Sequence, residues 1–368
     1  MRNKLTNRIW IYSCVIMGAG LLSLYSASFQ NVRVGQGVFY DQLACVVLGI
    51  GLMYLLERFD YRRFYDVAYI VYFLNFILLL FVLLAGKHAL GAKRWLEIGG
   101  LSFQPSEFTK LSLILMLGRY FANQKPTLSF NLYSRSEEIL RRLILPFVLT
   151  LILMFLIFKQ PDLGTSILLF GIFLSLLFVS GLEFKYIFGF IIFCLVCAPF
   201  GWQHLKEYQK DRLLVFLNPN IDPLGAGYTI IQSKIAIGSG QLFGKGWLSG
   251  TQNQLNFLPE RHTDFIFSVV GEEWGLIGSL LLVFCYFVLI ITSLKIAEQV
   301  KDKFGTYVTI GIASILTLQV VINIGMVMGL FPVVGITLPF ISYGRSSLIV
   351  FIIMMGFLLN LSKRRTIF

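Results

Sequence analysis

Long apolar runs alternate with short polar breaks along almost the whole chain, and the runs have the length of membrane spans. A helix needs about 20 apolar residues to cross a hydrocarbon core of roughly 30 Å. Runs of this kind fall near residues 9–28, 38–56, 64–84, 107–121, 143–158, 163–181, 186–200, 264–294, 307–330 and 336–361. Backbone polar groups in lipid must be satisfied within the element, so the pattern predicts helices throughout. The expectation is an all-α polytopic membrane protein of about ten transmembrane helices, a single integral membrane domain over residues 1–368. The first run follows Arg2, Lys4 and Arg8 and ends in Ser26-Ala27-Ser28, like a cleavable leader. It is longer than a leader's apolar core needs, so it reads as a retained span.

Two breaks stand apart from the rest. Residues 201–263 form a long loop between spans seven and eight, marked by Pro219, Pro223 and the Leu224-Gly225-Ala226-Gly227-Tyr228 turn. Loops of this length are usually functional or disordered. Within it Ile230, Ile231, Ile235, Ala236 and Ile237 recur at helical spacing, which predicts a short amphipathic helix at the membrane surface. The second break, residues 86–96, leads through Phe103-Gln104-Pro105-Ser106-Glu107 into span four.

Composition supports the membrane reading: 57% of residues are hydrophobic and 14% charged, against about 25% charged in soluble domains. Mean hydropathy is +0.76. The net charge of +12 is distributed asymmetrically. Arg2, Lys4 and Arg8 precede span one, Arg58, Arg62 and Arg63 follow span two, and Arg119, Lys125, Arg135, Arg141 and Arg142 separate spans four and five. Lys185 follows span six, Lys295, Lys301 and Lys303 follow span eight, and Lys363, Arg364 and Arg365 come after span ten. Ten spans place all of them on one side, as the positive-inside rule requires, with both termini cytoplasmic and the 201–263 loop extracytoplasmic. The excess is a topology signal with some attraction to anionic lipid, and no basic stripe interleaved with aromatics points to nucleic acid.

Several motifs carry no chemistry. Cys14, Cys45, Cys194, Cys197 and Cys285 lie inside apolar spans, and their odd number makes no disulfide framework. The Cys194–Cys197 pair lacks a second pair or a nearby histidine. Residues 240–246 resemble a phosphate loop, but the spacing is one residue short and no Ser or Thr follows Lys245 to hold magnesium. His88, His204 and His262 form no HExxH zinc site, and no metal-ligand cluster is visible.

Ionisable residues at the outer ends of the spans remain. Unpaired charge entering hydrocarbon is costly, so such groups are partnered or functional. The richest group is Leu255-Asn256-Phe257-Leu258-Pro259-Glu260-Arg261-His262-Thr263-Asp264-Phe265-Ile266-Phe267-Ser268, at the mouth of span eight. Asp264 there falls in a first helical turn, where the dipole favours its anion, and a carboxylate facing a cavity can accept a proton from a hydroxyl nucleophile. Glu272 and Glu273 lie two turns deeper and predict a polar cavity penetrating the bundle. Glu107 and Lys110, three apart, share a helical face. They form either a functional pair or a buried one that fixes packing. Asp162, in Gln160-Pro161-Asp162-Leu163-Gly164-Thr165, is either functional or a helix cap.

These residues also carry a family resemblance. Gly91-Ala92-Lys93-Arg94-Trp95-Leu96, Gln104-Pro105-Ser106-Glu107-Phe108-Thr109-Lys110, the Gln160 block, residues 259–267, Pro332-Val333-Val334-Gly335 and Leu338-Pro339-Phe340-Ile341-Ser342-Tyr343-Gly344 resemble, in order, the signature blocks of the SEDS family (shape, elongation, division and sporulation). The Pro259-Glu260-Arg261-His262-Thr263-Asp264 form and the loop from Asp222 to Tyr228 are more similar to the elongation branch than to the division branch. Arg345 departs from the pattern, where many relatives have a small residue. The resemblance implies a peptidoglycan glycosyltransferase of the bacterial inner membrane that polymerises lipid II for cell-wall elongation and rod shape, with Asp264 as general base and undecaprenyl diphosphate released with inversion. Lys93, Arg94, Lys110, Lys245 and Arg261 are the outward-side cations for the diphosphate, and Glu107, Asp162, His262 and Ser342 complete the substrate-binding candidates. No cofactor is required by the pattern, although a divalent cation, Mg or Mn, could assist at the diphosphate. The implied partners are lipid II, the lipid-linked glycan, a class B penicillin-binding protein (the cross-linking transpeptidase) and other membrane proteins of the elongation complex. Two rival classes are a lipid II flippase or similar transporter, which equally suits intramembrane charge, and a non-catalytic scaffold.

Overall fold

Apolar runs form helices throughout the structure, a computed structural model that describes residues 4–29, 32–89, 92–98, 101–124, 137, 139–203, 206–223, 225 and 227–364. Helices α1 (Lys4–Ser28), α2 (Val32–Arg58) and α3 (Arg62–Ala85) lead to a three-stranded antiparallel sheet, β1 (Lys87–Ala89), β2 (Ala92–Ile98) and β3 (Leu101–Phe103). Then follow α4 (Pro105–Ala122), α5 (Leu145–Lys159, entered through a π-helical turn), α6 (Leu163–Val179) and α7 (Phe184–Trp202). The long loop carries α8 (Glu207–Leu217), α9 (Tyr228–Ser239) and a single turn, Thr251–Gln254. The chain ends with α10 (Ile266–Gln299), α11 (Lys303–Val327) and α12 (Arg345–Arg364).

Eight of the described helices are long and apolar enough to cross a membrane by length and composition. α6, with 17 residues, is only slightly shorter, and α4 has 18 residues but carries Glu107, Lys110 and Arg119. Each of the ten apolar runs thus has its helix, and the chain is a multi-pass membrane protein. Local signals set the ends. Pro105 begins α4, where a missing N–H costs nothing. Asp162 caps α6 and Asp302 caps α11, each carboxylate accepting an N–H of the first turn.

The core lies where α4, α11 and α12 meet. Leu113, Ile114 and Leu117 of α4, Ile312, Ile315 and Leu316 of α11, and Phe351, Met354 and Leu358 of α12 are buried against one another. α2, α3 and α7 instead leave Leu and Phe side chains exposed, the surface a lipid-facing helix needs.

Three features differ from the sequence reading. Span ten starts at Arg345, not near residue 336, because Ile336, Leu338, Phe340 and Ile341 are buried as an irregular loop rather than as helix. Gly335 and Phe340 there take positive φ (+71° and +67°), which a helix cannot continue. The polar break after α3 forms a sheet. The α9 stripe of Ile230, Ser233 and Ala236 is turned toward protein: the Ser233 hydroxyl meets Ser268 of α10 at 2.8 Å and donates to the Val327 carbonyl of α11 at 2.6 Å.

Candidate active site

The turn before α10 presents three successive backbone carbonyls, and each accepts a hydrogen bond from a different residue. His262 O receives Tyr343 N at 2.8 Å, Thr263 O receives Ser342 Oγ at 2.6 Å, and Asp264 O receives Asn323 Nδ2 at 3.0 Å. Ser342 Oγ also accepts Leu338 N at 2.7 Å. Gln42 of α2 braces the same loop, donating to Ser342 O at 3.1 Å. Glu260 turns the chain into this segment with φ +48°. The main chain around Asp264 is therefore fixed from α11 and from the 332–344 loop.

The Asp264 side chain is treated differently. Among the described residues none donates a hydrogen bond to its carboxylate, and the residue is half-buried. Gly335 backs directly onto it: a Cβ there would stand 3.5 Å from Asp264 Oδ2. Burial pushes the Asp264 carboxyl from 3.8 up to about 6; Glu260 adds to the rise, Arg212 opposes it, and Asp162 and Arg94 act more weakly in opposite senses. A carboxylate poised near 6 is ionised at neutral pH yet more basic than an ordinary aspartate, as proton abstraction requires. His262 beside it is lowered by burial, which favours its neutral form.

The other sequence-derived candidates divide by what they touch. Arg94 of β2 donates from Nε to Gln160 O at 2.9 Å and from Nη2 to Pro161 O, pinning the corner between α5 and α6 while it faces Asp264 electrostatically. Lys93 is half-buried on the same strand. Asp162 is spent as a cap, one oxygen accepting Thr165 N at 3.1 Å and the other Thr165 Oγ1 at 2.9 Å. Lys110 is fully buried and pairs with Glu107 at 2.7 Å, with Gln319 Oε1 at 3.2 Å and with the Phe351 ring 5.6 Å from its Nζ. Arg261 donates to Ala27 O at 2.8 Å at the end of α1, where the helix dipole favours a cation. Ser342 is committed to the backbone of the turn.

Lys245 serves a second construction. Its Nζ meets Glu272 Oε1 at 2.8 Å, and the Glu272 carboxylate also accepts Thr251 Oγ1, Gln252 N and Asn253 N. Glu273 accepts from the Ser26 hydroxyl and from Asn253 Nδ2. The segment around 241–246 lies along α10 as a backbone ladder, with Lys245 N on Glu272 O at 3.0 Å and Leu276 N on Gln241 O at 2.9 Å. Such an approach needs glycine: a Cβ at Gly244 would be 2.1 Å from Glu273 O, and one at Gly275 2.3 Å from Gly244 N. Gly275, at φ +66°, breaks the helix there. A loop folded onto the two glutamates thus engages the Glu272 carboxylate and one oxygen of Glu273.

Four polar residues of the site escaped the sequence reading. Arg212 reaches Asp264 only because α8 packs over the 332–344 loop, its Nη1 donating to Val333 O at 3.3 Å, and Gln42 likewise joins the site only through the fold. Gln319 and Asn323 did leave a signal: two amides four apart in an otherwise apolar span.

Comparison with known proteins adds the following. The family profile described as "Cell cycle protein", covering FtsW, RodA and SpoVE, matches residues 6–367. The chain is 42% identical over 347 residues to peptidoglycan glycosyltransferase MrdB of Escherichia coli (strain K12), covering 94% of this chain and 90% of that one. It is 32% identical over 419 residues to peptidoglycan glycosyltransferase RodA of Treponema pallidum (strain Nichols), covering 94% of each. A solved structure described as "Structural coordination of polymerization and crosslinking by a peptidoglycan synthase complex" superposes with a TM-score of 0.80 at 31% identity, over 98% of both chains.

Proposed function

The chain belongs to the FtsW/RodA/SpoVE family, the SEDS proteins, and from that membership we propose how it acts as a peptidoglycan glycosyltransferase. The observation that carries the mechanism is the Asp264 carboxylate, held on a clamped turn and, among the described residues, left without a hydrogen bond. Asp264 takes the proton of the GlcNAc 4-hydroxyl of an incoming lipid II. That oxygen attacks the anomeric carbon of the lipid-diphosphate-linked strand, the bond to the diphosphate breaks, and the α-linked donor yields a β-1,4 link with inversion. Undecaprenyl diphosphate leaves, its charge met by nearby cations, of which Arg94 and Arg212 are the two whose charge acts on Asp264. Among the described residues no three His, Cys, Asp or Glu side chains gather as a metal-ligand set. A Mg or Mn ion would reach the site on the diphosphate, where its charge would add to that of the cations.

The test is direct. Purified protein incubated with lipid II in detergent is expected to yield a ladder of glycan strands, and a class B penicillin-binding protein copurified in mild detergent is expected to raise the rate. A transporter has no product to make without a bilayer, so unchanged lipid II would overturn the polymerase reading. A rate indifferent to any copurified transpeptidase would remove the partner.

Orientation belongs to the same proposal: both termini are cytoplasmic and the 201–263 loop faces outward in the bacterial inner membrane. Ile221, 62% exposed in that loop, is the place for a reporter. A cysteine there should react with a membrane-impermeant maleimide in intact spheroplasts, and labelling confined to lysed cells would reverse the topology.

A further inference from the structure

α11 crosses the bundle as an apolar helix interrupted by two buried amides, Gln319 and Asn323. They are four positions apart, so they lie on one face about 6 Å apart along the axis. Their contacts fix both amide orientations. Asn323 Nδ2 faces two carbonyl oxygens, Asp264 O at 3.0 Å and Ile336 O at 2.6 Å, and a carbonyl only accepts, so this end must be the NH₂ group. Gln319 is equally determined: its Oε1 accepts from Lys110 Nζ at 3.2 Å, and its Nε2 donates to Thr337 O at 2.9 Å and Thr337 Oγ1 at 3.2 Å.

The two amides therefore tie three things to one rigid helix: the main chain of Asp264, the 336–337 stretch of the loop behind it, and the buried Lys110–Glu107 pair. We propose that Asn323 and Gln319 are positioning residues for catalysis, setting where the Asp264 carboxylate points, and that Lys110 acts on the reaction through Gln319. The proposal rests on Asp264 being the general base. Its physical basis is that a misplacement of about 1 Å at a reacting group is enough to cost 10²-fold in rate, and among the described residues the Asp264 side chain has no hydrogen bond of its own to correct one.

The test uses the full-length protein with lipid II. Asn323→Leu keeps the branching of the side chain, though it is bulkier, and removes both donors. We expect kcat to fall at least 10-fold, KM for lipid II to stay within about twofold, and the acid limb of the rate profile to move. In the parent that limb is expected near pH 6, set by burial of Asp264 among Glu260 on its own turn, Arg212 from α8, Asp162 at the start of α6 and Arg94 on β2. With the turn released, water reaches the carboxylate more freely and the midpoint should drop by half a pH unit or more. Asn323→His, which retains a ring N–H donor at nearly the same place, should restore most of both. Should Asn323→Leu fold poorly, Gln319→Met carries the same expectation at smaller amplitude. An activity loss that merely tracks the folded fraction, with the midpoint unmoved in Asn323→Leu or in Gln319→Met, overturns the proposal. A parent profile whose acid limb survives in Asp264→Asn would instead overturn the base assignment, so the two failures can be told apart.

Discussion

Asp264→Asn is expected to lower lipid II polymerisation by about 10²–10⁴-fold, the usual size of a general-base effect, in a protein that melts no earlier than its parent. Asparagine keeps the shape and leaves the clamped carbonyls of residues 262–264 untouched, so nothing that holds the turn is lost. It takes no proton at neutral pH. The stability half of the prediction follows from the sign of the titration. The folded-state pKa is raised from 3.8 to about 6, so the native state favours the protonated form. The stability this gives is present below the unfolded value and lost as pH rises through about 6. At neutral pH the ionised carboxylate therefore costs the fold up to about 3 kcal/mol, less where its tip meets water, and asparagine carries no such cost. Chain-length analysis beside a melting curve separates the outcomes. A variant that melts like the parent and makes long strands at a comparable rate would leave Asp264 with a structural role only.

The second large effect concerns the buried ion pair. Lys110→Ala leaves Glu107 facing the core without its cation, and Glu107→Ala leaves Lys110 with a neutral amide and an aromatic ring. Breaking a buried pair by removing one partner typically costs about 3–5 kcal/mol, enough to cripple folding or activity in either single variant. The double variant removes both charges and should be no worse than either single one. Melting temperatures and polymerisation rates of the four proteins form the cycle. Strictly additive losses would mean that each residue acts separately.

The legibility of this fold follows from its solvent. Lipid forces each crossing segment to be apolar and helical, so the ten runs could be located from the sequence and each has a helix. The departures arose where a residue is buried without being helical, or polar with its atoms already engaged within the protein. Residues 336–341 are apolar because they pack behind the Asp264 turn, and hydropathy alone cannot distinguish that from the start of a span; Pro339 was the available warning. Asp264 stood out because it follows Glu260, Arg261 and His262 directly. Asp162, Lys245 and Ser342 were singled out as substrate contacts, and each has polar atoms engaged by the protein itself: Asp162 locally with Thr165, Lys245 and Ser342 across the fold with Glu272 and with the Thr263 carbonyl. Arg212 became part of the site only through the packing of α8, which no local pattern encodes.

The break at Gly275 also has a mechanical meaning. An unbroken α10 of 34 residues would rise about 51 Å, far more than a hydrocarbon core of roughly 30 Å accommodates without strong tilt. The part after Gly275 rises about 36 Å and is sufficient to cross alone. The part before it, which follows the Asp264 turn, is not free to swing: the 241–246 ladder bonds to Glu272 and Glu273 on one side of Gly275 and to Leu276 and Ile277 on the other. The bend is thus splinted, and the Asp264 turn is carried at a fixed angle on the end of the crossing helix.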